Sequence, residues 1–144
     1  MAVVYTLQTS ASPERVLAAA TNFTDRRPEL WPTISRRYWQ VHDIGDDWCE
    51  CTEGSDNLGG VWVSARYDWT EARVVGTVIS SNVFASGTWA LEVEPRPGGG
   101  ALVHANNEFR TKGKGLVIAP VIRLSGRRFF ASRLRQTLRI LEAA

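Results

Sequence analysis

The side chains best suited to bind an apolar molecule lie on one predicted β-hairpin, residues 61–81. Its tight turn sets Tyr67 opposite Gly76 and sets Trp69 opposite Val74. This face is apolar, so we expect it to point inward. A glycine opposite a tyrosine leaves space that either a packed core or a bound ligand fills. The sequence therefore offers two interpretations of Tyr67 and Trp69, as core residues or as pocket lining.

The predicted last strand adds an amide to this inward surface. Its alternation places Asn107 and Phe109 inward, on the face that Trp89 of the neighbouring strand shares. A buried amide needs hydrogen-bond partners, so Asn107 is either a structural hydrogen bonder or a contact that orients a ligand. His104 and Glu108 lie on the opposite face about 13 Å apart, which is too far for direct acid–base coupling.

A second group of reactive side chains lies on the predicted hairpin 36–53. A two-residue turn at 45–46 would pair His42 with Cys49 and bring Cys51 onto the same face. Such a group resembles a three-ligand metal site or a histidine-activated thiol. A slip of one residue would move the histidine to the other face, and no fourth ligand is evident. We therefore predict no metal and no cofactor. Only one residue separates Cys49 from Cys51, so a disulfide between them would be strained and both thiols are expected to be reduced.

Other catalytic signatures are missing from the sequence. There is no GxSxG nucleophile elbow and no phosphate-binding loop, and the glycines at 98–100 do not open a helix. Arg66 and Asp68 lie two residues apart on one strand, where a solvent-side ion pair is expected. The sequence thus assigns no catalytic residue.

Seven strands and three helices must position these side chains. Residues 3–9 form the first strand, and Ser12 followed by Pro13 begins a helix. A second short helix follows at 22–31, where Pro28 is expected to interrupt it and Pro32 to end it. Period-two segments then predict a meander of six antiparallel strands, and a final helix spans 118–141. The predicted segments of the meander are 36–44, 47–53, 61–70, 73–81, 87–95 and 101–111.

A helix of about 24 residues is roughly 36 Å long, enough to lie along a whole sheet. The predicted fold is therefore α+β: a seven-stranded curved antiparallel sheet wrapped around a long C-terminal helix, with two short helices after strand 1. The 144 residues, 44% of them hydrophobic, suit a single domain over residues 1–144. No apolar stretch is long enough to span a bilayer and the N-terminus lacks a signal-peptide pattern, so we expect a cytoplasmic protein.

Charge is distributed unevenly along the chain. Residues 1–109 carry 8 basic and 14 acidic side chains, whereas residues 110–144 carry 9 basic side chains and Glu142 alone. Either the basic helix face is simply solvated or docked on the acidic body, or it is attracted to an anionic surface. Nucleic-acid-binding motifs are missing, so no nucleic acid is expected as partner. Weak contact with a membrane surface through Arg128, Arg135 and Arg139 stays a hypothesis.

The order of elements resembles the START-related, birch-pollen-allergen-like superfamily (SRPBCC), including its polyketide cyclase/dehydrase and lipid-transport group. Residues 11–16 (ASPERV) resemble its passage from strand to helix, and Phe23 with Trp31–Pro32 resembles its second short helix. The segments 67–70 (YDWT) and 81–89 (SNVFASGTW) are similar to a bacterial subgroup of this fold. The resemblance covers nearly the whole chain.

This resemblance implies a helix-grip fold with an apolar cavity between the long helix and the concave sheet. Members bind lipids, polyketide-like aromatics or other hydrophobic molecules, and some catalyse cyclisation or dehydration. We therefore predict a hydrophobic small molecule as partner; the alternatives are a cyclase or dehydratase using the same cavity, and an interaction protein that docks its basic helix on an anionic surface. The predicted ligand-binding residues are Trp31, Tyr67, Trp69, Trp89, Asn107, Phe109, Phe130 and Leu134.

Overall fold

A computed structural model describes the backbone of residues 1–144 and every side chain except that of Leu58. The chain forms seven strands, three α-helices and a short 3₁₀ turn at Asn57–Gly59. The strands are β1 (Ala2–Thr9), β2 (Gln40–Ile44), β3 (Trp48–Ser55), β4 (Val61–Trp69), β5 (Arg73–Ser81), β6 (Phe84–Pro95) and β7 (Ala101–Thr111). The helices are α1 (Pro13–Ala20), α2 (Arg27–Leu30) and α3 (Gly115–Ala143).

All seven strands belong to one antiparallel sheet in the order β1-β7-β6-β5-β4-β3-β2. The meander pairs consecutive strands, and β1 closes the order by pairing with β7. The sheet curves around α3, and the two short helices follow β1. The predicted helix-grip architecture is therefore confirmed.

The predicted start of α1 is also confirmed. The Ser12 hydroxyl accepts a hydrogen bond from the Arg15 amide at 3.3 Å, and Pro13 occupies the first turn. The backbone N–H groups at the beginning of a helix have no partner within the helix. The Ser12 hydroxyl accepts a hydrogen bond from one of them, and Pro13 has no N–H to leave unpaired.

The second helix is shorter than predicted. It spans four residues instead of ten, because the chain turns at 22–26 and Pro28 lies in the first turn. Proline lacks the N–H that a helix interior needs but is well tolerated at its beginning. The prediction was wrong to treat Pro28 as an interruption.

Four other predicted boundaries need correction. Residues 36–38 form a turn and Trp39 is irregular, so β2 begins at Gln40. Strand β6 begins at Phe84, and the segment 54–60 contains the end of β3 and a 3₁₀ turn. Helix α3 begins at Gly115 and continues through Pro120, although a proline removes one helical hydrogen bond.

The buried side chains on the concave side form two cores. The first core joins β1, β7, α1 and the second half of α3; it includes Tyr5, Phe109 and Leu138. The second core joins the end of α1 to β3, β4 and β5; it includes Phe23, Cys51 and Tyr67. Among the residues that the structure describes, no helix is both long and apolar enough to cross a lipid bilayer.

Candidate functional site

Four apolar side chains connect the two cores and are only partly buried. Each of them packs against both cores, and we call them the seam residues: Leu17, Trp31, Phe84 and Leu91. They come from α1, the end of α2 and β6. Trp89 and Phe130, which pack against one core each, are also partly exposed. The concave side therefore keeps a strip of apolar surface in partial contact with solvent.

One side of the seam is fixed by a buried ion pair. Arg27 of α2 is 4% exposed and Glu53 of β3 is 9% exposed. The guanidinium Nε donates to the Glu53 carboxylate at 3.2 Å, and Nη1 donates to the carbonyls of Ala20 at 3.0 Å and Asn22 at 3.1 Å. A buried charge requires such a partner because burial alone disfavours the ionised form. The pair therefore ties α2 and the end of α1 to the sheet.

Aromatic rings surround this guanidinium group. It lies 4.5 Å from the centroid of the Phe23 ring, and the rings of Tyr67, Trp31 and Trp39 lie at 5.3 to 5.7 Å. Aromatic faces attract cations, so these rings compensate further for the lost hydration of Arg27.

Tyr67 connects the ion pair to the middle of the sheet. Its hydroxyl donates to Glu53 Oε1 and accepts from Trp89 Nε1 at 3.0 Å. This contact depends on Gly76, which pairs with Tyr67 on β4 and with Trp89 on β6. A Cβ atom at position 76 would lie 2.5 Å from Trp89 Nε1 and 2.8 Å from the Tyr67 ring. The space opposite Tyr67 is thus filled by the Trp89 indole.

The buried network shifts proton affinities in consistent directions. Burial is the largest single effect on the pKa of Arg27 and would lower it, but the interactions with Glu53, Tyr67 and Cys51 together outweigh burial and the pKa is raised. Burial raises the pKa of Tyr67 well above 10.0, and the charge of Glu53 adds to the effect. Burial also raises the pKa of the Cys51 thiol. The guanidinium is therefore charged and the phenol and thiol are neutral at neutral pH, which makes Cys51 a poor nucleophile.

A row of phenyl rings continues from Trp89 towards α3. Phe84 lies 6.4 Å from Trp89 and 5.2 Å from Phe109, and Phe109 lies 5.7 Å from Phe130 of α3, all measured between ring centroids. Four predicted site residues, Tyr67, Trp89, Phe109 and Phe130, are thus in one continuous set of contacts. Phe84 completes the set and was not predicted.

The other predicted site residues lie at the borders of this row. Trp31 is a seam residue whose indole N–H donates to the Ala19 carbonyl at 3.0 Å. Trp69 stacks on Phe23 at 5.4 Å. Asn107 is buried between Val3 of β1 and Trp89 of β6. Leu134 is fully inside the first core.

The hairpin with the histidine and cysteines differs from its predicted register. Ile44 pairs with Cys49 and Val41 with Cys51, with an irregularity at His42. The thiols point into the second core, whereas the His42 ring contacts the Thr52 hydroxyl at 2.7 Å on the other face. The predicted grouping of His42 with both cysteines was therefore wrong. In the described part of the chain, no three His, Cys, Asp or Glu side chains are placed to hold a metal ion.

The convex face carries the ion pairs expected there. Arg66 donates to Asp68 at 3.2 Å and also contacts Glu50. His104 pairs with Glu94 at 3.3 Å and not with Glu108. The predicted inward orientation of Tyr67, Asn107 and Phe109 is confirmed by their burial.

Comparison with known proteins agrees with this geometry. Residues 2–144 match the family model described as polyketide cyclase / dehydrase and lipid transport. The chain belongs to this family. No curated protein sequence gives a significant match.

Solved structures with similar folds include an aromatase/cyclase from Streptomyces sp. R1128, with a TM-score of 0.84 at 11% identity. That comparison covers 99% of this chain and 93% of the other. The protein TTHA0849 of Thermus thermophilus gives a TM-score of 0.81 at 14% identity, with 99% and 97% covered. Major latex-like protein 151 of Panax ginseng gives 0.71 at 12% identity, with 100% and 98% covered. At these identities the likeness establishes the fold alone.

In this member of the polyketide cyclase/dehydrase and lipid-transport family, the sequence did not reveal the two charged residues at the centre of the site, Arg27 and Glu53. Glu53 lies two residues after Cys51 and four after Cys49, so all three occupy one face of β3. Once the cysteines are placed inward, a carboxylate on their face demands a buried cation. That requirement was the available signal for Arg27, the only basic residue on α2.

Proposed function

We propose that this protein binds a hydrophobic or aromatic small molecule between the concave sheet and α3, over the seam residues. The observation that carries the proposal is the partial exposure of side chains that belong to the interior. Leu17, Trp31, Phe84 and Leu91 pack against both cores and still retain solvent contact. A ligand that covers this apolar surface gains about 25 cal/mol of binding free energy for each Å² removed from water.

The proposed site combines aromatic rings with one amide group. Trp89 and Phe130 border the strip on the sheet side and the α3 side, and offer ring faces. Asn107 supplies an amide on the same face, beside Trp89 in the register. A few fixed polar groups in an apolar site orient a ligand, while burial supplies most of the affinity. Trp69 and Leu134 support the neighbouring walls in this proposal.

Catalysis by Tyr67 is a weaker alternative on this geometry. A cyclase or dehydratase would use Tyr67 or Asn107 to polarise a carbonyl, which requires a free donor. The Tyr67 proton is already donated to Glu53. An enzyme of this type would therefore depend on Asn107, and Asn107→Ala would lower its turnover without an equal loss of binding.

The test measures binding of Nile red, an uncharged apolar dye, by its fluorescence increase. Leu91→Trp fills the strip and is expected to weaken dye binding about tenfold or more, equivalent to losing about 1.4 kcal/mol. Leu91→Ala removes volume and is expected to preserve or strengthen binding. Native mass spectrometry of freshly purified protein is expected to detect a co-purifying hydrophobic molecule.

Ile79→Trp is the matched control, since Ile79 is 58% exposed on β5. It introduces the same side chain away from the seam and should leave dye affinity unchanged. No fluorescence increase with the wild-type protein, or equal losses in Leu91→Trp and Ile79→Trp, would overturn the proposal. Circular dichroism of each variant verifies that the fold is retained.

A further inference from the structure

The first half of α3 exposes apolar side chains that the fold does not use. Val117, Val121 and Leu124 are 78%, 62% and 90% exposed, and Leu116 is also exposed. Their spacing of four and three residues places Val117, Val121 and Leu124 on one stripe of the helix. In the second half of the same helix, leucines at comparable spacing are buried in the first core. An exposed apolar stripe of this kind marks a surface that another body covers.

Basic side chains flank this stripe. Arg123, Arg127 and Arg128 are exposed, and Lys112 precedes the helix. Within the part of the chain that the structure describes, none of the three arginines pairs with a carboxylate. No acidic residue occurs between Glu108 and Glu142. The positive potential of this face is therefore not neutralised by the protein itself.

We propose that this surface, the apolar stripe with its flanking arginines, docks on an anionic lipid bilayer. A bilayer interface takes both kinds of side chain at once: apolar groups enter the acyl boundary, and guanidinium groups meet phosphates. A groove of about 590 Å³ on this face combines the two, being lined by Leu124, Ser125, Arg127, Arg128 and Ala131. Nucleic acid would use the arginines but gains nothing from the exposed Val121 and Leu124.

A second copy of the chain fits this surface less well. In a two-fold dimer the same patch meets itself, so Arg123, Arg127 and Arg128 of one copy would lie near the same arginines of the other. Like charges placed together in this way repel each other. An anionic bilayer instead supplies the opposite charge.

The surface differs from the one that the sequence suggested. Arg135 donates to the Gln8 carbonyl of β1 at 3.5 Å and is half-buried, so it serves the fold. Of the three arginines predicted to touch a membrane, only Arg128 lies on the proposed surface. The proposal does not depend on a ligand inside the protein.

The experiment is co-sedimentation of the full chain with vesicles of phosphatidylcholine, with and without phosphatidylglycerol. Binding is expected only to the anionic vesicles and should fall with added salt. Removing two charges with Arg123→Gln and Arg127→Gln is expected to weaken it about thirtyfold, at about 1 kcal/mol per charge. Leu124→Asn is expected to weaken it about tenfold.

Two control variants match these changes elsewhere on the surface. Arg15→Gln with Arg73→Gln removes the same charge from exposed positions outside α3, and Ile79→Asn replaces an exposed apolar residue on β5. Both should bind vesicles almost as the wild type does. Equal binding to both vesicle types, or equal losses in test and control variants, would contradict the proposal.

Two further outcomes would also overturn it. A lipid-free dimer that Leu124→Asn dissociates would make the stripe a contact between copies of the chain. Salt-sensitive binding to a DNA duplex without any binding to anionic vesicles would make the arginines a nucleic-acid surface.

Discussion

Two regions on the concave side of the sheet differ in how many contacts hold them in place. Around Arg27, the polar contacts are directional: an ion pair, two bonds to carbonyls, and a phenol that bridges Glu53 and Trp89. The first half of α3 is held mainly at its start, where Lys114 donates to the Gly60 carbonyl at 2.6 Å. Beyond that point its long apolar side chains largely face solvent.

This difference separates residues that maintain the fold from those free to meet a partner. Polar groups buried at Arg27 and Glu53 allow few alternative arrangements, because each unpaired group costs free energy. An exposed helix stripe has no such restriction. We therefore expect stability to depend on the first region and association to depend on the second.

The largest effect is expected from Glu53→Leu, which leaves the buried Arg27 charge without its carboxylate partner. The free energy of unfolding should fall by about 3–5 kcal/mol in urea denaturation. Glu50→Leu is the matched control on the same strand, since Glu50 forms an exposed pair with Arg66 and should cost about 1 kcal/mol or less. Similar losses in the two variants would show that the buried pair has no special role.

Alkaline pH is expected to cause a smaller loss of stability for each pH unit. The folded protein retains the protons of Cys51 and Tyr67 at pH values where the unfolded chain releases them, near 9.0 and 10.0. Their contribution to stability is therefore complete below about pH 9 and is lost as pH rises, by up to about 1.4 kcal/mol per pH unit for each group. Urea denaturation between pH 7 and 11 measures this slope.

A double variant, Cys49→Ala with Cys51→Ala, sharpens this measurement. Burial raises the pKa of both thiols, so their removal should move the onset of the loss from about pH 9 to about pH 10. An unchanged pH dependence would mean that the thiols are not protected from ionisation in the folded state.

The smallest effect is expected from Leu124→Ala in α3. Leu124 contributes to neither core, so the free energy of unfolding should change by less than about 0.5 kcal/mol. Leu138→Ala, about four turns further along the same helix, should cost about 2–5 kcal/mol because Leu138 is completely buried. A large loss in Leu124→Ala would show that the first half of α3 is essential to the fold.

The sequence was informative where local rules determine the structure. The pairing of Tyr67 with Gly76 and of Trp69 with Val74 follows from one tight turn and the period of a strand, and both pairs are confirmed. The Ser12 cap is similarly local. Each required only neighbours in the chain.

Predictions failed where distant contacts decide. The irregularity at His42 shifts the hairpin register, and a strict period of two does not anticipate it. The Arg27–Glu53 pair joins residues 26 positions apart, so neither residue alone indicates its partner. The space above Gly76 was correctly identified, but only the folded sheet shows that the Trp89 indole enters it.

Gly76 also links the permitted substitutions at two positions of the sheet. Any side chain there would collide with the indole on the adjacent strand, so position 76 can enlarge only when position 89 becomes smaller. In related chains we expect these two positions to covary, with a glycine wherever the tryptophan is present. The smallest residue of β5 thereby governs which aromatic groups its neighbours can carry.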